Sequence, residues 1–166
     1  MKKQHYKAII IIFILSLIDQ ISKFIIIAKR DLLPIGNNIL QINYQENYGI
    51  AFGIIMGGRI SYIIANFMII ILVSKFLFTQ LNRINKIKRL SLILIIAGGI
   101  GNLVDRIVRG YVVDFIDFSK IIDFPIFNFA DIMIVIGVVC LGIISFIEIS
   151  NENIKYYKTK NKYRRE

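Results

Sequence analysis

Apolar residues in this chain gather in long blocks instead of alternating with polar ones. Four blocks stand out, at about 8–28, 60–79, 90–108 and 131–150. Each approaches the roughly 20 apolar residues that a helix needs to cross a bilayer. Between the first two blocks the texture changes. Pro34, Gly36, Asn37 and Asn38 form a turn cluster. The run Ile39 to Tyr44 then alternates and predicts a strand. Gly49, Gly53 and the pair Gly57-Gly58 permit tight turns or close approach of a ligand backbone. Between the last two blocks, Gly110 to Phe118 is rich in β-branched and aromatic residues and predicts an extended stretch ending near Pro125. Asn128, with Asp131 in the first turn after it, predicts a helix start. The expected fold class is an all-α membrane protein: four transmembrane helices with a small extracytoplasmic β-sheet. Residues 1–166 are expected to be a single integral-membrane domain ending in a disordered basic cytoplasmic tail, 151–166.

Composition agrees with this reading, since 56% of residues are hydrophobic, too many for an ordinary soluble domain of this size. The net charge of +10 changes the picture only through its placement. Lys2, Lys3 and Lys7 precede the first block. Arg83, Lys86, Lys88 and Arg89 fill the link between the second and third. Lys155, Lys158, Lys160, Lys162, Arg164 and Arg165 follow the fourth. With four spans, all three clusters fall on one side of the membrane. This positive-inside bias predicts cytoplasmic termini and external connections at about 29–59 and 109–130. The tail reads as a solvated segment near anionic membrane lipid, so no nucleic acid is expected as a partner. The lone cysteine, Cys140, allows no intrachain disulfide or Cys-pair redox motif. The first block carries Asp19 and has no small-x-small pattern after it, so it reads as a retained span instead of a cleaved leader.

Polar groups inside apolar spans point to function. Asp19 lies twelve residues beyond Lys7, about 18 Å along a helix, in the outer half of the bilayer. Lys23, four residues on, can pair with it. Asn102, Asp105 and Arg106 sit at the outer end of the third block, where an Asp105–Arg106 pair can orient nearby backbone. Asp114 and Asp131 flank the outer ends of the third and fourth blocks in strongly apolar settings. Two carboxylates converging in a poorly hydrated site share one proton. The ionised one can take a proton from water while the protonated one polarises a carbonyl, which is the equipment of an aspartyl protease. Asp117 and Asp123 read as ordinary residues of a wet loop.

Other chemistries are weaker. Asp114 and Asp117 have a D-x-x-D spacing suited to a hard cation, but no further acids or phosphate motif accompany them, so neither metal nor cofactor is expected. The only histidine, His5, lies on the cytoplasmic side, which removes a Ser-His-Asp arrangement. A proton relay through Asp19, Asp105, Asp114 and Asp131, serving transport, is the alternative reading. Another is an assembly protein packed through Gly98, Gly101, Gly137 and Gly142. Against a relay, no acid lies deep toward the cytoplasm except Glu148, which looks isolated. Neither alternative accounts for paired aspartates flanked by asparagines.

Five segments resemble the lipoprotein signal peptidases, or signal peptidase II. They are Asp19-Gln20-Ile21-Ser22-Lys23, Asn47-Tyr48-Gly49-Ile50-Ala51-Phe52-Gly53, Gly98 to Arg106, Val112-Val113-Asp114-Phe115, and Phe127-Asn128-Phe129-Ala130-Asp131. All five occur in order at the matching topological positions. The resemblance implies four spans with a small external β-cradle. It also implies an aspartic endopeptidase that cleaves diacylglyceryl-modified prolipoproteins just before the lipidated cysteine, acting as a monomer in the bacterial inner membrane. It places catalysis on Asp114 and Asp131. Asp19, Lys23, Asn47, Gly49, Asn102, Asp105, Arg106 and Asn128 carry over as substrate-binding or site-shaping residues.

Overall fold

The computed structural model describes residues 2–49 and 58–163. Of the loop motif, residues 50–53 and the neighbouring Gly57 lie outside the described residues. Helix α1 runs Lys2–Ala28, followed by a short 3-10 turn, Arg30–Leu32. Strands β1 (Ile35–Gly36) and β2 (Gln41–Asn47) precede helix α2 (Arg59–Gln80). Then come α3 (Lys86–Val108), β3 (Val112–Asp117) and α4 (Phe129–Tyr163). All four helices contain a stretch long and apolar enough to span a bilayer: Lys3–Ala28, Arg59–Gln80, Lys86–Val108 and Phe129–Glu152. The blocks read from the sequence lie within these helices.

Helix α3 is the hub, packed against α1, α2 and α4. Lipid offers helices no hydrophobic drive to associate, so close backbone approach and interhelical hydrogen bonds do the work. A Cβ at Gly98 would meet Ala130 O of α4, and one at Gly101 would meet the Asp19 carboxylate of α1. Gly99 faces Asn66 and Ile70 of α2, and Asn66 Nδ2 donates to Gly99 O at 3.1 Å. Ser16 Oγ of α1 donates to Ala97 O at 3.0 Å. Gly137 packs closely on Ile95 and Ser91, whereas Gly142 faces open space and is not a packing residue. The apolar core between the helices contains Ala8, Ile12, Leu77, Leu81, Leu92, Ile93, Ile96 and Ala97. Large side chains such as Phe13, Ile60 and Phe146 project outward, as a lipid-facing surface requires.

At the end remote from the sheet, Asn85 caps α3 by accepting from Lys88 N at 2.8 Å. Asn85 Nδ2 and the Lys88 ammonium both bind Glu148, so this acid is a tie between α3 and α4, not an isolated charge. Helix α4 continues to Tyr163, where the sequence suggested a disordered tail. No Pro or Gly occurs in 151–163 to stop the helix.

The three strands form an antiparallel sheet in the order β1-β2-β3. Asn37 Oδ1 accepts from Ile39 N and Leu40 N at 2.8 and 2.9 Å. Those amides therefore belong to a turn, and the strand expected from Ile39 begins at Gln41 instead. Gly36 has φ 146°, and a Cβ there would strike Leu40 O. A register irregularity between Ile42 and Gln45 bends β2 against β3. Phe127 pairs in a bridge with Ile116, and its carbonyl accepts from Phe115 N and Ile116 N at 3.0 and 2.8 Å. This bridge delivers the start of α4 to the side of β3.

Candidate active site

The chain enters α4 through a reciprocal cap. Asn128 Oδ1 accepts from Asp131 N at 3.0 Å, and Asp131 Oδ2 accepts from Asn128 N at 3.2 Å. This is the helix start expected from the sequence, closed in capping-box fashion. With its carbonyl oxygen so engaged, Asn128 turns its amide Nδ2 onto Asp114 Oδ1 at 2.5 Å and Asn102 Oδ1 at 3.3 Å. Asn102 in turn donates Nδ2 to Asp131 Oδ1 at 2.8 Å. Asp114 and Asp131, from a strand and a helix start, are thus linked through two buried amides.

The other oxygen of Asp114 belongs to β2. Asn47 Nδ2 donates to Asp114 Oδ2 at 2.9 Å, while Asn47 Oδ1 accepts from Gly49 N at 2.9 Å. Gly49 O accepts from Arg106 Nη2 at 2.9 Å, so α3 holds Gly49 just past the end of β2. Asp114 is only 2% exposed. Burial pushes its carboxyl up to about 6, the charge of Asp131 adds to the rise, and the amides of Asn47 and Asn128 oppose it. A carboxyl with that environment keeps a proton where a free aspartate has lost it.

Behind this pair lies a second polar cluster. Lys23 Nζ is 2.9 Å from Asp19 Oδ2 and 3.0 Å from Asp105 Oδ2, and all three side chains are fully buried. The i,i+4 pair of α1 expected from the sequence is therefore present, with α3 supplying a second carboxylate. Asp19 Oδ1 accepts from Ala130 N at 3.0 Å, and Asp105 Oδ2 accepts from Val113 N at 3.1 Å. Lys23 also donates to Asn102 Oδ1 at 3.0 Å.

One expected contact is absent from this arrangement. Asp105 pairs with Arg109 and Lys23, not with Arg106. Successive residues of a helix point about 100° apart, whereas Arg109 at i+4 shares the face of Asp105. Arg106 instead serves Gly49 O and lies over the Tyr62 ring, 5.9 Å from its centroid. Asp117 also departs from the wet-loop reading, being 4% exposed at the end of β3. Hydrogen bonds from Ser119 and Asn43 hold its carboxyl below the usual range. Residues three apart on a strand face opposite ways, so Asp114 and Asp117 share no partner among the described residues and the D-x-x-D reading loses its geometry.

Three further residues were not singled out in the sequence. Gln20 Nε2 donates to Asp105 Oδ1, Gly101 O and Asp19 Oδ2, and Gln20 Oε1 accepts from Arg109. Arg59 caps the end of α3 by donating to Arg106 O and Ile107 O, each at 2.8 Å. A glutamine beside Asp19 in an apolar span and an arginine four residues after Asp105 were the available signals for the first two. Nothing local marked Arg59.

Comparison with known proteins places this site in context. The family described as Signal peptidase (SPase) II matches residues 11–147. A lipoprotein signal peptidase of Clostridioides difficile is 37% identical over 138 residues, covering 81% of this chain and 91% of that protein. One from Clostridium tetani is 39% identical over 158 residues, covering 90% and 98%. Two bacterial membrane enzymes solved by the in meso method share the fold. The first, at 2.3 Å resolution, has TM-score 0.75 and 33% identity, covering 87% of this chain and 90% of that one. The second, at 1.9 Å, has TM-score 0.70 and 33% identity, covering 82% and 90%. By the match over residues 11–147 and by relatives of this identity and coverage, the chain belongs to the signal peptidase II family.

Proposed function

We propose that this protein removes the signal peptide from diacylglyceryl-modified prolipoproteins, cutting just before the lipidated cysteine, with Asp114 and Asp131 as the catalytic pair. Membership of a peptidase family leaves the proton-relay transporter without support. The observation that carries the assignment is the amide-linked pair itself, with the Asp114 carboxyl raised to about 6. Asp114 supplies the protonated member and Asp131 the ionised one. Asp131 takes a proton from water as the water oxygen attacks the scissile carbonyl carbon. Asp114 gives its proton to the carbonyl oxygen, leaving a neutral gem-diol. Collapse of that diol returns a proton from a hydroxyl to Asp114. The proton held by Asp131 passes to the leaving nitrogen as the C–N bond breaks.

The remaining site residues shape this chemistry. Asn102 and Asn128 present amide donors to the two carboxylates. Asn47 and Gly49 sit where an extended substrate backbone can lie, and Arg106 braces Gly49. Asp19, Lys23 and Asp105 form the layer behind. The substrate is an apolar helix with a lipid on its cysteine, so it enters sideways from the bilayer. We place the chain, as a single-domain monomer, in the bacterial inner membrane with both termini cytoplasmic, following the Lys and Arg bias of 2–7, 83–89 and 155–165.

The test is cleavage of a lipidated prolipoprotein by purified enzyme, run beside an unlipidated substrate and a chelator control. Asp114→Asn and Asp131→Asn should each abolish cleavage while remaining membrane-inserted. Substantial activity in either variant sinks the pair. Loss of wild-type activity with the chelator revives a metal.

A further inference from the structure

We infer that Lys23 is a positioning residue that sets the spacing of Asp114 and Asp131, by closing an Asp19–Lys23–Asp105 clasp whose two carboxylates each hold the backbone amide just before one aspartate of the pair. The inference rests on the catalytic assignment above. Asp19 Oδ1 holds Ala130 N at 3.0 Å, the amide of the residue before Asp131. Asp105 Oδ2 holds Val113 N at 3.1 Å, the amide of the residue before Asp114. The Lys23 ammonium lies between the two carboxylates, at 2.9 and 3.0 Å. Shifting either carboxylate shifts one half of the catalytic pair, and Lys23 is the group that ties the halves together.

The third ammonium proton makes the arrangement directional. It goes to Asn102 Oδ1 at 3.0 Å, which leaves only the Nδ2 end of that amide to face Asp131 Oδ1 at 2.8 Å. A lysine ammonium has three donors and no acceptor, and here all three are committed. Lys23 therefore fixes both the separation of the pair and the donor that Asp131 meets. A buried ion cluster is a poor source of net stability compared with well-packed apolar groups, so its main product here is geometry. The charges facing Asp114 are Asp131 from α4, Arg106 from α3 and Lys23 from α1. The positive charge of Lys23 opposes the upward push of burial on Asp114.

Lys23→Met alone leaves the buried Asp19 carboxylate without its cation and can fail to fold. The informative variant is Asp19→Asn combined with Lys23→Met. Asn at 19 retains an oxygen for Ala130 N, and Asp105 keeps Arg109 as its counter-charge. The full-length double variant is purified, and its active fraction is titrated with a tight-binding inhibitor. Its kcat should fall about 100-fold, the scale of a displacement of roughly 1 Å in reacting groups. KM should stay within about threefold, because substrate binding is left in place. The basic limb of its kcat/KM profile should move to higher pH. The clasp is overturned by wild-type kcat, by a loss confined to KM, or by an active fraction that drops with an unshifted profile. Failure of this charge-balanced variant to fold also overturns it, since the cluster is then a stability element. Asp114→Asn and Asp131→Asn run alongside. If they retain activity the catalytic assignment fails, and if they are dead while the double variant behaves as wild type, only the clasp fails.

Discussion

The proton on Asp114 gives one group two measurable pH dependences. Burial pushes its carboxyl up to about 6 in the folded protein, against 3.8 for the ordinary group. That difference corresponds to about 3 kcal/mol. Asp114 is 2% exposed, so solvent screening does not discount that figure. The folded state binds this proton more tightly than the unfolded state. The stability it contributes is full below about pH 4 and is lost as pH rises through about 6. Denaturant unfolding in bicelles should show that decline in the wild type, and Asp114→Asn should flatten it between about pH 4 and 6. On the proposed assignment, catalysis follows the same proton. At pH 8 only about one free enzyme molecule in 100 retains it, so kcat/KM for a lipidated peptide should fall about tenfold per unit above pH 6. An unchanged stability slope in Asp114→Asn, or a kcat/KM that stays flat to about pH 8, refutes the reasoning.

Two further substitutions separate the site from its surroundings. Asp117→Asn should leave lipoprotein cleavage largely intact, because Asp117 bonds Asn43 and Ser119 on the far side of β3; a steady-state assay decides this. Gly101→Ala should lower stability by about 1–3 kcal/mol and reduce kcat. The added methyl meets the Asp19 carboxylate directly and lies 3.3 Å from the Ala130 Cβ. Thermal unfolding and initial rates check it, and a neutral outcome removes the tight α1–α3 contact.

Local contacts were legible in the sequence, and contacts between elements were not. The four spans, the Asn128–Asp131 cap and the Asp19–Lys23 pair all follow from periods of one element. Asp105 was assigned to Arg106 because they are neighbours in sequence, yet helix geometry gives it to Arg109 at i+4 and packing gives it to Lys23. Gln20 escaped notice because its four partners come from α1 and α3 together. Asn66, a polar residue in the second span, could have been flagged by its membrane setting alone, but only packing reveals Gly99 O as its acceptor. Asp114 and Asp131 were paired from topology. Their joining by Asn102 and Asn128 depends on the Phe127–Ile116 bridge, which no spacing predicts.

The residue that caps α4 also bonds Asp114, so the helix start and the proposed pair are built by one side chain. Asn128 cannot present its amide to Asp114 until the first turn of α4 has formed and Phe127 has docked on β3. A chain emerging from insertion with three helices in place carries Asp114 but lacks Asp131 and the amide that joins them. On the proposed assignment, the catalytic pair is therefore complete only where the helix start is capped, because one asparagine serves both.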